Sequence, residues 1–532
     1  MLYVIIFVTG GAILALELLA SRIMTPYFGV SLFIWTGILS ITLVALAAGY
    51  WWGGRLAARH GHTRSLGHLT LLYAVMPGAA SLAIVAACLL YPFTFHPLAR
   101  MDLVVGAFVA CAILLFVPLT TTSAMNSLLV AIRVAGGGTA AGDAGAGRVF
   151  FISTLGSVAG VAVTAFGLIP HLSNFTATLT VAAALATLTL LIAARPPYPL
   201  PSRTRVAALG GVALALSLGL LAAGSAFTQW QWPARYGARE WQRETTYHSL
   251  FGTVQILKST PDADGSFRRM YFQDGITQNT VAGDGRSLSM YTYMLDALVR
   301  AYQPQAKRAL VLGLGAGIVP STLAARGIEV TAVEIDPAAL EAARKTFALP
   351  QAVNVVLEDA RTYLQRCTRP YDVVVVDLFA GDGVPEYLVT QDFFDALRRC
   401  TGEHGVAVFN TFADLQFPRP YAHFLATLRA SMPAIVLYRP DYPGVVHVNS
   451  FVVAAAKRLP EPVSVSVLDA PESVSPVLAD MLAHPRPLDR ALLEHSRLIT
   501  DAVNPVSMDF AKGQARHRKG VIESVPAAFL FN

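Results

Sequence analysis

Charged side chains are scarce in this chain. They make up 14% of its 532 residues, whereas 54% are hydrophobic, and a soluble globular protein usually carries about 25% charged residues. The shortage is greatest at the N-terminus, because the first lysine is Lys258 and residues 1–229 hold only the acids Glu17, Asp102 and Asp143. This composition excludes a wholly soluble protein and predicts that the N-terminal part lies in a lipid bilayer.

A clustered basic face is also missing. The net charge of +6 comes from arginines at the edges of apolar runs, and the chain from about residue 230 onward is nearly neutral. Nucleic-acid binding depends on phosphate contacts from a basic surface. We therefore expect no nucleic-acid partner.

Cysteines are few, and their spacing indicates neither a disulfide framework nor a metal site. Cys88, Cys111, Cys367 and Cys400 are far apart, and the first two fall inside apolar runs. Metal-binding cysteines usually occur as closely spaced pairs. We predict that all four behave as small buried hydrophobic residues and that no metal is bound.

Long apolar runs are abundant in the N-terminal part. Each of seven runs reaches the length of about 20 residues that crosses a hydrocarbon core. The first run lacks the basic start and small-residue cleavage site of a signal peptide, so it is predicted to remain as a helix. We predict a transmembrane domain of about seven helices over residues 1–226, from runs near 2–21, 31–54, 67–91, 102–123, 149–170, 174–194 and 205–226.

Two features of this domain bear on packing and function. Gly156 and Gly160 form a small-residue stripe, which predicts that two helices approach closely. Glu17 and Arg22, near the end of the first run, are ionisable groups at membrane depth. Such groups either serve a function or fix the packing of helices, and the sequence leaves both interpretations open.

The next segment, residues 227–285, contains a junction and a small sheet. Its alternating stretches 252–257 and 269–272 are separated by a turn-rich segment, 261–265. Alternation with an intervening turn is typical of antiparallel strands. We therefore predict a small antiparallel β-sheet before the next domain.

A glycine-rich turn indicates an α/β Rossmann-like domain over 286–510. Gly313, Gly315 and Gly317 follow an apolar run, and Glu334 ends the next run about twenty residues later, the spacing of a nucleoside-binding βαβ unit. Glycine lets backbone N–H groups approach a ligand, and the following helix adds its positive end. Glu334 can accept hydrogen bonds from both ribose hydroxyls.

Two further acids stand at strand ends in this order. Asp359, followed by Ala360, comes after a third apolar run, where a carboxylate can take an adenine amino group. Asp377 ends the buried run 371–377 at the carboxyl edge of the sheet, where such folds bind ligands. This order resembles the S-adenosylmethionine-dependent methyltransferase fold rather than a nicotinamide dehydrogenase.

The segments before the glycine turn narrow the resemblance. The stretches 247–255 and 270–278, followed by Tyr291, are similar to the N-terminal sheet and entry helix of the spermidine synthases. The resemblance covers about 245–510, and the membrane half is similar to relatives that are fused to membrane domains. The remaining residues, 511–532, are expected to form a C-terminal tail.

The resemblance implies an aminopropyl transfer from decarboxylated S-adenosylmethionine to a polyamine such as putrescine. It assigns the nucleoside to the glycine turn, Glu334, Asp359 and Ala360. Gln278 and Tyr291 would line the pocket of the accepting amine, and Asp377 would orient the amine and take its proton. The expected partners are this small-molecule amine and the bilayer, and a homodimer is left open.

Some family positions differ in this chain. Ala316 stands where the family has an acid inside the glycine turn, and Ala380 replaces a second acid beyond Asp377. Asp274 and Asp382 are candidates to compensate by binding the amine. Because Ala316 replaces the family's acid, a second hypothesis remains open, in which S-adenosylmethionine donates a methyl group to a small or lipid-soluble acceptor. A third hypothesis is a polyamine or solute transporter whose soluble domain only senses a nucleotide.

Two conflicting signals bear on which side of the membrane the soluble domain lies. The even-numbered loops carry eight arginines against five on the other side, and the positive-inside rule would then export everything after residue 226. The donor, however, is made in the cytosol. We therefore predict a multi-pass protein of the inner cell membrane with a cytoplasmic soluble domain.

Overall fold

The computed structural model describes residues 1–30, 32–61, 66–135, 143–379, 383–440, 447–467, 469–488 and 490–531. The chain forms two compact units. The helical unit comprises Met1–Trp232 and Ile522–Asn532, and the sheet unit comprises Pro233–Val521.

The helical unit consists of long apolar helices. Among the described residues, seven helical segments are long and apolar enough to cross a membrane, with α4, a π-helical turn and α5 counting as one. The bounds are α1 Leu2–Phe28, α2 Leu32–Gly61, α3 Leu66–Met101, α4 Leu103–Cys111, α5 Val117–Ala135, α6 Asp143–Val163, α7 Asn174–Ala194, α8 Arg203–Ala222 and α9 Gly224–Gln229, with π-helical segments at Ala112–Phe116 and Thr164–Leu168.

The glycine stripe on α6 packs against α1. A Cβ atom on Gly156 would lie 2.0 Å from the Phe7 carbonyl oxygen, and one on Gly160 would lie 2.3 Å from the Gly11 carbonyl oxygen. Only glycine permits this backbone approach. The predicted close packing of two helices is confirmed.

The last residues of the chain pack inside the helical unit. They include α19, Ala527–Leu530. The Phe531 ring centroid lies 5.5 Å from that of Tyr91 and 5.8 Å from that of Phe175, and Phe529 stacks on Trp232 at 5.3 Å. The segment predicted as a tail is therefore divided, because residues up to Val521 belong to the sheet unit.

The sheet unit begins with a five-stranded antiparallel sheet, as the sequence predicts. Its strands follow chain order, β1 to β5. In the pairing of the two last strands, Tyr271 lies opposite Asn279 and Phe272 opposite Thr277, so Gln278 is the extra residue of a β-bulge. The bounds are β1 Ala234–Tyr236, β2 Arg239–His248, β3 Thr253–Ser259, β4 Arg268–Gln273 and β5 Ile276–Ala282.

A second sheet of eight strands forms the Rossmann-like core. Its order is β13-β11-β12-β10-β9-β6-β7-β8, and β10, β9, β6, β7 and β8 are parallel. The central strand β9 consists of four buried valines, which suits a strand covered on both faces. The strands are β6 Arg308–Leu312, β7 Glu329–Glu334, β8 Asn354–Leu357, β9 Val373–Val376, β10 Val406–Asp414, β11 Ala434–Tyr438, β12 His447–Ala455 and β13 Arg486–Pro487.

Helices pack on both faces of this sheet. Each face has its own buried apolar cluster, so the predicted methyltransferase-type architecture is confirmed. The helices are α10 Met290–Tyr302, α11 Ile318–Ala325, α12 Pro337–Lys345, α13 Ala360–Gln365, α14 Gln391–Thr401, α15 Pro418–Ser431, α16 Ser475–Ala483, α17 Arg490–Leu493 and α18 Val506–Ser524, with a 3₁₀ turn at Glu386–Leu388.

The cysteine prediction is wrong for one pair. Cys367 and Cys400 form a disulfide, with their Cα atoms 5.6 Å apart. Cys367 follows α13 and Cys400 lies near the end of α14, and these neighbouring helices bring together residues 33 positions apart in the chain. Cys88 and Cys111 are buried free cysteines, as predicted.

Candidate active site

The topology creates a crevice between β6 and β9. After β6 the chain adds β7 and β8 on one side, and then returns to place β9 on the other side. Loops leave the carboxyl ends of these two neighbouring strands in opposite directions, which is where parallel sheets bind ligands. The glycine turn follows β6 at this point, and Glu334 and Asp359 lie at the ends of the next two strands, β7 and β8.

Gly313 is required by the geometry of the crevice. Its φ is +94°, and a Cβ atom there would lie 2.1 Å from the Asp377 carbonyl oxygen. Gly315 also has a positive φ, +51°, but no described atom lies within 4 Å of the position of its absent Cβ. Gly313 thus lets the two strand ends meet, and Gly315 leaves open space for a ligand. Gly317 begins α11.

Glu334 holds the glycine turn from the end of β7. Its carboxylate accepts hydrogen bonds from the backbone N–H groups of Leu314 at 2.9 Å and Asp336 at 2.8 Å. Burial raises the pKa of Glu334, although these N–H groups act in the opposite direction. The carboxylate is therefore fixed beside the turn, where its remaining lone pairs can accept ribose hydroxyls.

Asp359 caps the helix that follows β8. One carboxylate oxygen accepts the backbone N–H of Thr362 at 2.9 Å, and the other accepts the hydroxyl of Tyr387 at 2.9 Å. Ala360 is the buried first residue of α13. The sequence missed Tyr387, whose hydroxyl competes for the oxygen that an adenine amino group would use.

Asp377 lies at the centre of the crevice. Its Oδ1 accepts a hydrogen bond from Asn410 Nδ2 at 2.9 Å. The pKa of Asp377 is raised to about 6, mainly because burial removes the carboxylate from bulk water; the charge of Glu334 also acts to raise it, whereas the Asn410 hydrogen bond acts to lower it. The Tyr291 hydroxyl lies close enough that Asp377 adds to the effect of burial in raising the pKa of Tyr291. A carboxylate with a pKa near neutrality is suited to accept a proton.

Asn410 was not predicted from the sequence. It lies near the carboxyl side of β10, the strand beside β9, and Asn449 on β12 donates to its amide oxygen at 3.2 Å. This contact fixes the amide so that the Nδ2 group faces Asp377. A polar residue directly after the buried run 405–409 was the signal available in the sequence.

The β4–β5 hairpin supplies the other predicted residues. Asp274 has a left-handed φ of +48°, and its carboxylate accepts the backbone N–H of Thr253 at 3.0 Å. Asn279, which the sequence missed, donates to the Tyr291 hydroxyl at 3.2 Å. Gln278 is half-buried in the bulge of β5, and bulges often re-aim side chains beside active sites.

These residues form two parts of the site. The residues predicted to bind the donor, Gly313, Gly315, Glu334 and Asp359, are called the donor half below, and those predicted to bind the amine, Asp274, Gln278 and Tyr291, are called the acceptor half. Asp377 contacts Asn410 and interacts electrostatically with Glu334 of the donor half and Tyr291 of the acceptor half.

Three positions remain from the comparison with the family pattern: two where this chain lacks an acid, and one acid predicted to compensate. Ala316 is buried with Tyr271 and Ala339 in an apolar cluster, so an acid there would lose solvent. Asp382 and Ala380 lie outside the described residues. In the part of the chain that is described, no group of three or more His, Cys, Asp or Glu side chains is arranged to hold a metal ion.

Comparison with known proteins identifies the family of the domain in the C-terminal region. Residues 288–447 match the spermine/spermidine synthase domain family. The C-terminal region therefore contains such a domain, and the resemblance inferred from the sequence is confirmed. The matched range includes Glu334, Asp359 and Asp377, whereas it begins after the β4–β5 hairpin and ends before α18.

Individual relatives are similar over a limited length. An N-terminal histidine N-methyltransferase from Emericella nidulans is 35% identical over 136 residues, which are 25% of this chain and 24% of that protein. A polyamine aminopropyltransferase from Vibrio vulnificus is 35% identical over 136 residues, 24% of this chain and 44% of that protein. The chain thus spans less than half the length of either relative.

A solved structure of a probable spermidine synthase from Corynebacterium glutamicum is similar over 49% of this chain and 96% of that chain, with 19% identity and a TM-score of 0.40.

Proposed function

We propose that this protein is a membrane-anchored aminopropyltransferase that moves the aminopropyl group of decarboxylated S-adenosylmethionine to a polyamine such as putrescine. The observation that carries the proposal is Asp377, a carboxylate with a pKa of about 6 at the switch point, between the glycine turn and Tyr291. The spermine/spermidine synthase domain over 288–447 supports the same reaction.

Asp377 has two tasks in this reaction: it accepts a proton from the attacking amine, and it attracts the two cationic substrates. A polyamine arrives mostly protonated, so the attacking nitrogen must lose a proton, which the Asp377 carboxylate accepts. The nitrogen then forms a bond to the methylene carbon beside the sulfonium sulfur. The carbon–sulfur bond breaks and its electron pair goes to sulfur, which yields 5′-methylthioadenosine and the lengthened amine.

The open turn at Gly315 fits the nucleoside of this donor. Backbone N–H groups of the turn can approach the ligand, and one of them, that of Leu314, already holds Glu334 together with the Asp336 N–H. The Asp377 carboxylate also attracts the sulfonium cation and the amine cation, which brings the reacting atoms together.

Product analysis tests the proposal. The purified full-length protein in detergent is incubated with decarboxylated S-adenosylmethionine and putrescine, and then with longer amines. We expect 5′-methylthioadenosine and spermidine in equal amounts. The absence of both products with every amine would contradict the proposal.

A second candidate function is methyl transfer from S-adenosylmethionine. Ala316 favours it, because this buried, apolar position has no acid to meet the amine tail of a decarboxylated donor. Calorimetry with the two donors separates the candidates. Tighter binding of the decarboxylated donor supports aminopropyl transfer, and tighter binding of S-adenosylmethionine supports methyl transfer.

We further propose that the helical unit spans the inner membrane and that the sheet unit faces the cytoplasm, where the donor is made. The Cys367–Cys400 disulfide and the arginine distribution favour the opposite side, since disulfides persist mainly in oxidising compartments. The exposed residue Asp264 offers a test. In intact cells, Asp264→Cys should resist a membrane-impermeant maleimide until the cells are opened, and immediate labelling would contradict a cytoplasmic domain.

A further inference from the structure

The long C-terminal helix α18 packs against loops at the carboxyl edge of the sheet. Gln514 lies so close to the loop after β9 that a Cβ atom on Gly383 would come within 2.8 Å of its Nε2 atom. Arg516 Nη1 donates to Gln416 Oε1, after β10, at 2.8 Å. The helix therefore contacts two loops that lead away from the crevice.

The helix also reaches the strand face that holds Asp377. Alternate residues of a strand point to the same face, so Asn410, the Asp377 partner, shares a face of β10 with Phe412. The Phe412 ring lies 5.8 Å from the His517 ring on α18 and 5.2 Å from the Phe379 ring, two residues beyond Asp377. This face thus continues from Asp377 to α18.

Arg518 connects the same helix to the acceptor half. Its side chain is fully buried, with 0% exposure, and its Nη1 atom donates to the Asp274 carbonyl oxygen at 3.0 Å. A guanidinium is costly to bury unless hydrogen bonds compensate for the lost water. The carbonyl that it binds belongs to a non-glycine residue in the left-handed region, a conformation that is unfavourable for a residue with a Cβ atom. Arg518 therefore contacts the turn at its most strained residue.

We propose that Arg518 is a positioning residue for the acceptor amine, acting through Asp274. The guanidinium holds the β4–β5 turn, and the turn presents the Asp274 carboxylate and the bulged Gln278 to the cationic amine. In this arrangement α18 adds to the acceptor half. The inference rests on the proposed function for the identity of the amine, whereas the ordering of the turn can be measured independently.

The experiment compares Arg518→Gln and Arg518→Lys with Lys519→Gln, a matched control at an exposed position on the next residue of α18. Hydrogen exchange of residues 273–278 is measured by mass spectrometry on the full-length protein in detergent. Steady-state kinetics with putrescine and calorimetry with 5′-methylthioadenosine are measured on the same samples.

We expect the exchange of 274–278 to accelerate about tenfold in Arg518→Gln, as befits the loss of one charge-assisted hydrogen bond. The KM for putrescine should rise about tenfold with kcat within about twofold, and 5′-methylthioadenosine affinity should not change. Arg518→Lys should recover part of the effect because it keeps the charge, and Lys519→Gln should match the wild type.

Unchanged exchange of 274–278 in Arg518→Gln would overturn the inference, as would a loss confined to kcat. If Arg518→Gln does not fold, the same comparison is made with Arg518→Lys, where unchanged exchange and KM would overturn it. If the wild-type protein shows no aminopropyl transfer, only the proposed function is contradicted. The hydrogen-exchange measurement still tests the role of Arg518, because it does not depend on turnover.

Discussion

The donor half and the acceptor half of the site are built in different ways. The donor half comes from consecutive strand–loop units between Gly313 and Asp359, and its side chains bind backbone groups nearby in the chain, such as Leu314 and Asp336. The acceptor half joins Asp274 to Arg518, which lies 244 residues further along the chain. The first is a local consequence of the βαβ pattern, whereas the second depends on tertiary packing.

The family match follows the same division. Its range, 288–447, contains the whole donor half, Asp377 and Tyr291, but it excludes Asp274, Gln278 and Arg518. The match therefore extends over the residues predicted to bind the donor and over Tyr291, and it does not test Asp274, Gln278 or Arg518. Changes in the two halves should accordingly separate donor binding from acceptor binding.

The largest effect is expected at Asp377, where the two halves meet. Asp377→Asn removes the proton acceptor while keeping the shape of the side chain, so kcat should fall by about 100-fold or more. Calorimetry should show nearly unchanged binding of 5′-methylthioadenosine. Asp480→Asn, on the exposed surface of α16, serves as the control and should retain full activity. Comparable losses in both variants would argue against a role specific to Asp377.

A smaller effect, on stability, should follow from Gly313→Ala in the donor half. The new Cβ atom would lie 2.1 Å from the Asp377 carbonyl oxygen at a φ of +94°, which together should cost roughly 2–5 kcal/mol. Gly327→Ala is the control, because its φ is also positive but no described atom lies within 4 Å of the position of its absent Cβ. We expect the thermal midpoint to fall by roughly 5 °C or more beyond the control. Equal thermal midpoints in the two variants would contradict this prediction, because they would show that the ends of β6 and β9 can move apart.

The smallest effect concerns the pH dependence of kcat/KM, which we attribute to the titration of Asp377. The reaction needs the carboxylate, so kcat/KM should fall as the pH drops through about 6, the pKa that burial and Glu334 raise and Asn410 lowers. Asn410→Ala removes a hydrogen bond to the charged form, so the pKa should rise and the inflection should move up by about one pH unit. Asn449→Ala, which removes the donor to the Asn410 amide oxygen, should move it less. An inflection that stays in place in Asn410→Ala would exclude Asp377 as its source.

The sequence was sufficient for features that depend on local patterns. Apolar runs, a valine-rich strand and the spacing from Gly313 to Glu334 each reflect the geometry of one helix, strand or turn, so they predict the long apolar helices, the antiparallel sheet and the Rossmann-like domain. The acids at strand ends follow from the same rule, because parallel strands share a carboxyl edge.

Features that depend on distant segments were missed. The Cys367–Cys400 pair depends on how α13 and α14 pack, and Asn410 reaches Asp377 only because β10 lies beside β9. No sequence pattern pointed to the contact of Arg518, because the group that it binds is a backbone carbonyl, and any residue at position 274 would supply one. A backbone acceptor leaves no residue pattern in the sequence.

The most direct measurement is a competition between the two donors. The full-length protein is given equal concentrations of S-adenosylmethionine and its decarboxylated form with putrescine, and the mass added to the amine is read by mass spectrometry. The account predicts addition of an aminopropyl group, with 5′-methylthioadenosine released in equal amount. Addition of a methyl group, with S-adenosylhomocysteine released, would contradict it.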